Sequence, residues 1–156
     1  EGELCVIGPG MSIGYYDSPK QTLTKFKHGW VRTADVAIMD SDGYVTIVGR
    51  KSEIIIRGGM NITPREVEEA IETIQGIAAV TIIGIPHERL GEYCCACIIP
   101  AAGAKPSLEQ LCNELRKLGV ATYKLPERLE IVDQFPTTAS GKIQRHKLVE
   151  MFNQQQ

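Results

Sequence analysis

With 156 residues the chain has room for one domain, or for one domain and a piece of another. Its 17 basic and 19 acidic residues leave a net charge of −2, so it lacks the basic excess with which nucleic-acid binders coat phosphates. A composition 43% hydrophobic and 23% charged belongs to a folded globular chain, and no apolar run approaches the roughly 18 residues that a membrane span needs.

The first fifty residues read as turn-rich and β-like. Glu1 to Gly8 looks like the middle of a strand, and there is no initiator Met and no signal peptide, which predicts a chain cut from something longer. Gly8-Pro9-Gly10 and Tyr16-Asp17-Ser18-Pro19 are turn signals. Asp40-Ser41-Asp42-Gly43 is a third, between the apolar runs 36–39 and 44–48, which predicts a β-hairpin. No amphipathic helix is expected here, and these strands would not close a core. Packing is the expected role of Tyr15 and Tyr16.

Residues 51–156 carry a different pattern. Ile54-Ile55-Ile56 predicts a short strand ending at Gly58-Gly59. Thr63-Pro64-Arg65-Glu66 supplies an N-cap, a proline at the first helical position and a glutamate three residues after the cap, a capping box. Val67, Ala70, Ile71 and Ile74 follow at helical spacing, with Gly76 as the stop. The runs 77–85 and 93–99 predict buried strands. Ser107 caps a helix whose apolar face is Leu108, Leu111, Cys112, Leu115 and Leu118, and Gly119 ends it. A last strand over 128–132 and a short helix over 146–152 complete an α+β fold, a small mixed sheet covered by helices.

The five cysteines are 5, 94, 95, 97 and 112. Strand alternation puts Cys95 and Cys97 on one face and Cys94 on the other. That spacing fits no zinc knuckle, so buried free thiols are expected, no metal site, and a reducing cytoplasm as the compartment. His28, His87 and His146 sit at no ligand spacing and read as surface residues.

Three charged, loop-like segments remain: Arg32-Thr33-Ala34-Asp35; Gly49-Arg50-Lys51-Ser52 with Arg57-Gly58-Gly59-Met60-Asn61; and residues 136–145, containing Ser140-Gly141-Lys142. A carboxylate such as Asp35 can accept from sugar hydroxyls, and an arginine such as Arg50 can donate in a planar fork to sugar or phosphate oxygens. Lys142 beside a glycine can bring a compact positive charge close to an oxyanion. Ser-Gly-Lys here lacks the spacing of a phosphate-cradling P-loop.

In order and spacing these segments resemble the acyl-adenylate-forming (AMP-binding) superfamily. Gly2-Glu3-Leu4 with Gly14-Tyr15, Arg32-Thr33-Ala34-Asp35, Gly43-Tyr44 through Gly49-Arg50, the Arg57–Ile62 loop with Glu66-Val67-Glu68, Tyr123-Lys124-Leu125-Pro126 and Pro136–Arg145 all match in turn. Arg57-Gly58-Gly59 with Asn61 looks most like fatty-acyl and other acyl-CoA synthetases. The resemblance implies that residues 1–50 are the β-rich tail of a large adenylation domain and residues 51–156 the small lid domain, hinged near Ser52. It implies that Asp35 and Arg50 hold the nucleotide, that Lys142 is the catalytic lysine of adenylation, and that Gly58 and Gly59 line the passage for CoA. ATP or AMP, CoA, magnesium and a small-molecule carboxylate are the implied ligands. Two positions depart from the family pattern: Ala34 where glycine is usual, and Ser52 where the hinge is commonly Asp or Lys.

The family's phosphate loop, acyl pocket and magnesium carboxylate should lie upstream of Glu1, so the chain is expected to be inactive alone. Anchors for the 3′-phosphate of CoA would come from among Arg65, Lys105, Arg116, Lys117 and Lys124. Unpaired strands in residues 1–50 predict self-association. The competing readings are a ligase that loads a carrier-protein phosphopantetheine and a non-catalytic interaction module on the lid fold. Met151 to Gln156 looks like a natural C-terminus, which favours CoA over a carrier domain. RNA or DNA binding is the poorest reading, for want of an aromatic platform.

Overall fold

A computed structural model describes residues 1–153; the end of the 151–156 tail lies outside the described residues. The chain divides into two compact units, Glu1–Ser52 and Glu53 onward.

The first unit is a four-stranded antiparallel sheet: β1 (Gly2–Val6), β2 (Phe26–Lys27), β3 (Trp30–Met39) and β4 (Val45–Arg50), with β3 pairing all three others. The β3–β4 connection is the expected turn. The Asp40 carboxylate accepts from the backbone N–H groups of Asp42 and Tyr44, both at 2.9 Å, and Gly43 supplies φ +86°. The expectation is of no amphipathic helix here; a short helix without a buried face, α1, runs over Pro19–Lys25. Pro19 pre-sets the first-turn φ, and the Thr22 hydroxyl donates to the Ser18 carbonyl while accepting from Tyr15 N–H. The helix buries none of its residues. Tyr15 meets Phe26 edge-on at 5.8 Å, whereas Tyr16 is fully exposed and packs nothing. Only Val36 and Ala37 of this unit are buried apolar residues, while Ile13, Leu23, Met39 and Tyr44 are largely exposed.

The second unit is a five-stranded mixed sheet with helices on both faces. Its strands are β5 (Ile55–Arg57), β6 (Met60–Ile62), β7 (Ile77–His87), β8 (Gly91–Pro100) and β9 (Arg128–Ile131); its helices are α2 (Pro64–Glu72), α3 (Leu108–Lys117) and α4 (Arg145–Asn153). β7 and β8 form a long antiparallel hairpin, and β9 joins β8 in parallel. Alternation along these strands makes two cores. Ile82, Cys94, Ala96 and Ile98 pack with Val67 and Ile71 of α2 and with Leu111 and Leu115 of α3. Ile83, Ile85, Tyr93, Cys95 and Cys97 face Leu148 and Phe152 of α4. Full burial of a side chain such as Leu115 or Leu148 stabilises by about 1.5–3 kcal/mol. The three strand cysteines therefore fall on the faces that alternation predicts. Burial pushes the thiol pKa of Cys94 far up; a hydrogen bond with Cys95 and then burial do the same for Cys97.

Three local expectations change. The Gly58-Gly59 stop is a hairpin tip, and Met60–Ile62 is a second strand that no alternation marked. The capping box does not close: Thr63 is the N-cap and Pro64 the first helical residue, but the Thr63 side chain makes no cap bond and Glu66 turns to Lys124. His87 is a turn acceptor and not an idle surface residue, since its Nδ1 accepts from the N–H groups of Arg89 and Leu90. Ser107, by contrast, caps α3 as predicted, its hydroxyl accepting from Gln110 N–H at 3.3 Å.

Candidate functional site

Asp35 and Arg50 are opposite one another in the β3–β4 register, and Arg50 Nε forms an ion pair with Asp35 Oδ1 at 2.9 Å. The Arg32–Asp35 segment is thus inside a strand, not the loop expected. Its backbone departs sharply from strand geometry at one residue, Ala34, with φ +65°. An L-residue in the left-handed region costs roughly 1–2 kcal/mol, so the alanine carries a conformation that suits the glycine it replaces. The Ala34 carbonyl accepts from Lys51 N–H at 2.8 Å, while the Thr33 hydroxyl accepts from Asp35 N–H and donates to the Leu4 carbonyl. Beside them Arg32 grips Glu3, which Lys51 also approaches at 3.5 Å. The hydrogen bond from Arg32 holds the Glu3 carboxyl below its ordinary range. Arg50 is 59% exposed, whereas the Asp35 side chain is 19% exposed. A partly exposed carboxylate beside an exposed guanidinium fits a ribose and its phosphate.

Gly58 and Gly59 form the two-residue tip of the β5–β6 hairpin, with φ +55° and +83°. A turn with positive φ at both central positions matches the twist of the strands and demands residues such as glycine, whatever passes nearby. The tip is tied down. Gly58 N–H donates to the Leu90 carbonyl at 2.7 Å, and Arg57 Nε donates to Glu127 Oε1 at 2.9 Å. The other Glu127 oxygen accepts from Cys94 N–H on β8. A Cβ on Gly59 would meet no atom within 4 Å, so the space beside the tip is open to a ligand.

Lys142 closes a tight turn before α4. Gly141 N–H donates to the Thr138 carbonyl, Thr138 N–H to the Lys142 carbonyl, and Gly141 takes φ +80°. The lysine is exposed and can deliver its charge to an anion. Asp35 and Arg50 thus belong to the first unit, and Gly58, Gly59 and Lys142 to the second. Ser52 ends the first unit.

Several of the supposed phosphate anchors are committed elsewhere. Arg65 pairs with Glu69, Lys117 with Glu114 and Lys124 with Glu66. For Lys124, burial works to lower the pKa, but the bond and charge of Glu66 outweigh it and the net shift is upward. Among the described residues no group of three or more His, Cys, Asp or Glu is placed to hold a metal ion.

Arg145 ends the 136–145 motif, but the sequence marks neither its partners nor a role for it. Its Nη1 donates to Glu53 at 2.8 Å and its Nη2 to both oxygens of Glu68, at 2.9 and 3.1 Å. Glu53 and Glu68 precede it by 92 and 77 residues, a separation at which sequence offers no pairing signal.

A family model described as the AMP-binding enzyme C-terminal domain matches residues 66–142. The chain is 38% identical over 154 residues to a mitochondrial medium-chain acyl-CoA ligase of Bos taurus, covering 98% of this chain and 25% of that protein. It is 39% identical over 149 residues to a long-chain-fatty-acid–CoA ligase of Bacillus subtilis, covering 96% and 26%. Among solved structures, the o-succinylbenzoate CoA synthetase of Bacillus subtilis in complex with its acyl-adenylate intermediate superimposes with a TM-score of 0.86 at 29% identity, over 94% of this chain and 30% of that one. The chain therefore spans about a quarter of the length of these curated relatives.

Proposed function

The chain belongs to the AMP-binding superfamily and is similar to the C-terminal part of its acyl-CoA ligases, and from that premise we propose that it serves an ATP-dependent acyl-CoA synthetase. Residues 1–50 are the β-rich tail of the large adenylation domain, and residues 51–156 are the lid, hinged near Ser52. The reaction has two halves. A carboxylate oxygen attacks the α-phosphorus of ATP, giving acyl-AMP and pyrophosphate; the CoA thiol then attacks the acyl carbon and releases AMP.

Asp35 accepts from the ribose hydroxyls, and Arg50 adds a ribose or phosphate contact while keeping Asp35 oriented. Lys142 places its ammonium between the acyl carboxylate and the α-phosphate, where negative charge must be offset as acyl-AMP forms. In the second pose the Gly58-Gly59 tip lines the approach of the pantetheine thiol. CoA fits the open space beside Gly59. Magnesium, which would offset phosphate charge, would find its ligands in the part of the enzyme that this chain does not match, as would the phosphate loop and the acyl pocket. The chain alone is then inactive. The five free thiols support a reducing cytoplasm as the compartment, and no described helix is long and apolar enough to cross a membrane. The exposed Ile13, Leu23, Met39 and Tyr44 support a first unit that is covered by the rest of the large domain, and that self-associates when the rest is removed.

The observation that carries this reading is the division of the polar groups: a ribose-type Asp–Arg pair on one compact unit, and an exposed lysine in a fixed turn on the other, with the boundary at residues 52/53. The test is Lys142→Ala in the full-length enzyme. Acyl-AMP formation should slow by the equivalent of about 2.7–4 kcal/mol, the usual loss for one preorganised charge contact, while thioester formation from supplied acyl-AMP should persist. Equal damage to both halves would refute the assignment.

A further inference from the structure

We propose that Arg145 is a positioning residue for Lys142: held between Glu53 and Glu68, it fixes the lysine turn to the chain segment directly after Ser52, so that a swing at the hinge carries both as one body. The inference rests on the reading of Lys142 as the lysine of adenylation.

The geometry is a continuous line of contacts. Arg145 begins α4, three residues after Lys142. Gln144, between them, donates its N–H to the Pro136 carbonyl at 2.8 Å and its side-chain amide to the Thr137 carbonyl at 2.6 Å. Thr137 and Ile143 form an antiparallel bridge that closes the base of the lysine turn. On the other side Glu68 is itself fixed, since its Oε1 accepts from Ile82 N–H at 2.7 Å and from the fully buried Thr81 hydroxyl at 3.2 Å. One guanidinium thus joins α2, β7, the lysine turn and the first residue of the second unit. A planar fork holds two carboxylates in fixed directions, which a single ammonium does not do.

A plain structural role would predict variants that lower thermal stability and depress every step alike. A positioning role predicts an effect that passes through Lys142. The experiment is a double-mutant cycle in the full-length enzyme, reading acyl-AMP formation by pyrophosphate exchange and thioester formation from supplied acyl-AMP. Glu53→Gln is the principal variant, because it removes one arm at a side chain that is 35% exposed and spares the more buried Glu68; Arg145→Lys is the second. With Lys142 present, Glu53→Gln should slow acyl-AMP formation about tenfold, because sub-ångström misplacement of a reacting group is that costly, and should leave the thioester half within about twofold. In the Lys142→Ala background the same change should cost less than about twofold, since contacts acting through one residue are non-additive. Arg145→Lys should reproduce the pattern, with the melting temperature of each variant recorded beside the rates. A full tenfold loss in both backgrounds, equal loss in both halves, or no loss in either variant overturns the proposal. If Lys142→Ala itself leaves acyl-AMP formation intact, the underlying assignment of the lysine fails instead, and the two failures are told apart.

Discussion

Gly59 separates what the backbone needs from what a ligand needs. Its φ of +83° belongs to the left-handed region, and a Cβ there would have no atom within 4 Å. Gly59→Ala and Gly59→Trp therefore incur the same backbone strain, about 1–2 kcal/mol, offset by the about 0.5–1 kcal/mol that glycine loses in ordering, and the added Cβ itself meets nothing in the free protein. For a unit of about 100 residues a net loss of up to about 1.5 kcal/mol lowers the melting temperature by at most roughly 12 °C. Catalysis should distinguish them. Alanine adds a methyl group to an open space and should leave both half-reactions close to wild type. Tryptophan fills the side of the hairpin tip that the thiol of CoA is proposed to pass, so thioester formation should fall about a hundredfold below the alanine variant, the scale of a reacting group displaced by an ångström. Acyl-AMP formation should be alike in the two. Stopped-flow release of AMP from supplied acyl-AMP measures the first quantity and pyrophosphate exchange the second. Thioester formation at the alanine rate in the tryptophan variant would remove the hairpin tip from the path of CoA.

Other consequences follow from the same geometry. Ala34→Gly releases the strain of φ +65° but adds the extra unfolded-state freedom of glycine; the balance of about 1–2 against 0.5–1 kcal/mol should stabilise the first unit slightly in urea unfolding, and a clear loss of stability would contradict the strained backbone. Buried Cys94 and Cys97 have pKa values raised above the ordinary 9.0. Their contribution is full below pH 9 and is lost progressively as pH rises from there, because the unfolded chain then gives up protons that the folded one keeps. At pH 10 the two together should cost about 3 kcal/mol, read as a falling denaturation midpoint that flattens when both are changed to alanine. An unchanged midpoint between pH 8 and 10 would mean that these thiols ionise without resistance.

Much of the second unit is legible in sequence because its signals are local. Ser107 and the stripe of α3 from Leu108 to Leu115, Pro64 at the start of α2, and the alternation that separates Cys94 from Cys95 and Cys97 each work within a few residues and appear as read, while Leu118, expected on the same stripe, falls past the helix end and is 53% exposed. What escaped is non-local or overridden. Met60–Ile62 is a strand because the Gly58-Gly59 turn delivers it back onto β5, not because three residues declare it. Glu66 abandons its cap for Lys124, 58 residues away. In the site, the motifs named Asp35, Arg50 and Lys142, but the register that sets Asp35 against Arg50 needs a one-residue shift between Val36 and Ala37 that the turn at 40–43 does not dictate. Ala34 shows the limit of reading residue types: the position keeps a glycine conformation without a glycine. The Arg145 cluster had no sequence signal, since its carboxylates lie on elements whose meeting only the fold decides.

In the proposed function this chain carries the mobile charge and one edge of a nucleotide site whose remaining walls lie elsewhere in the enzyme. Isothermal titration of the purified 156-residue chain with ATP tests it most directly. Asp35 and Arg50 offer two or three contacts, too few to offset the roughly 4–15 kcal/mol lost on immobilising a ligand. The dissociation constant should be no tighter than millimolar. A micromolar constant would mean that these residues hold a complete nucleotide site, and the division of labour proposed between this chain and the rest of a ligase would have to be abandoned.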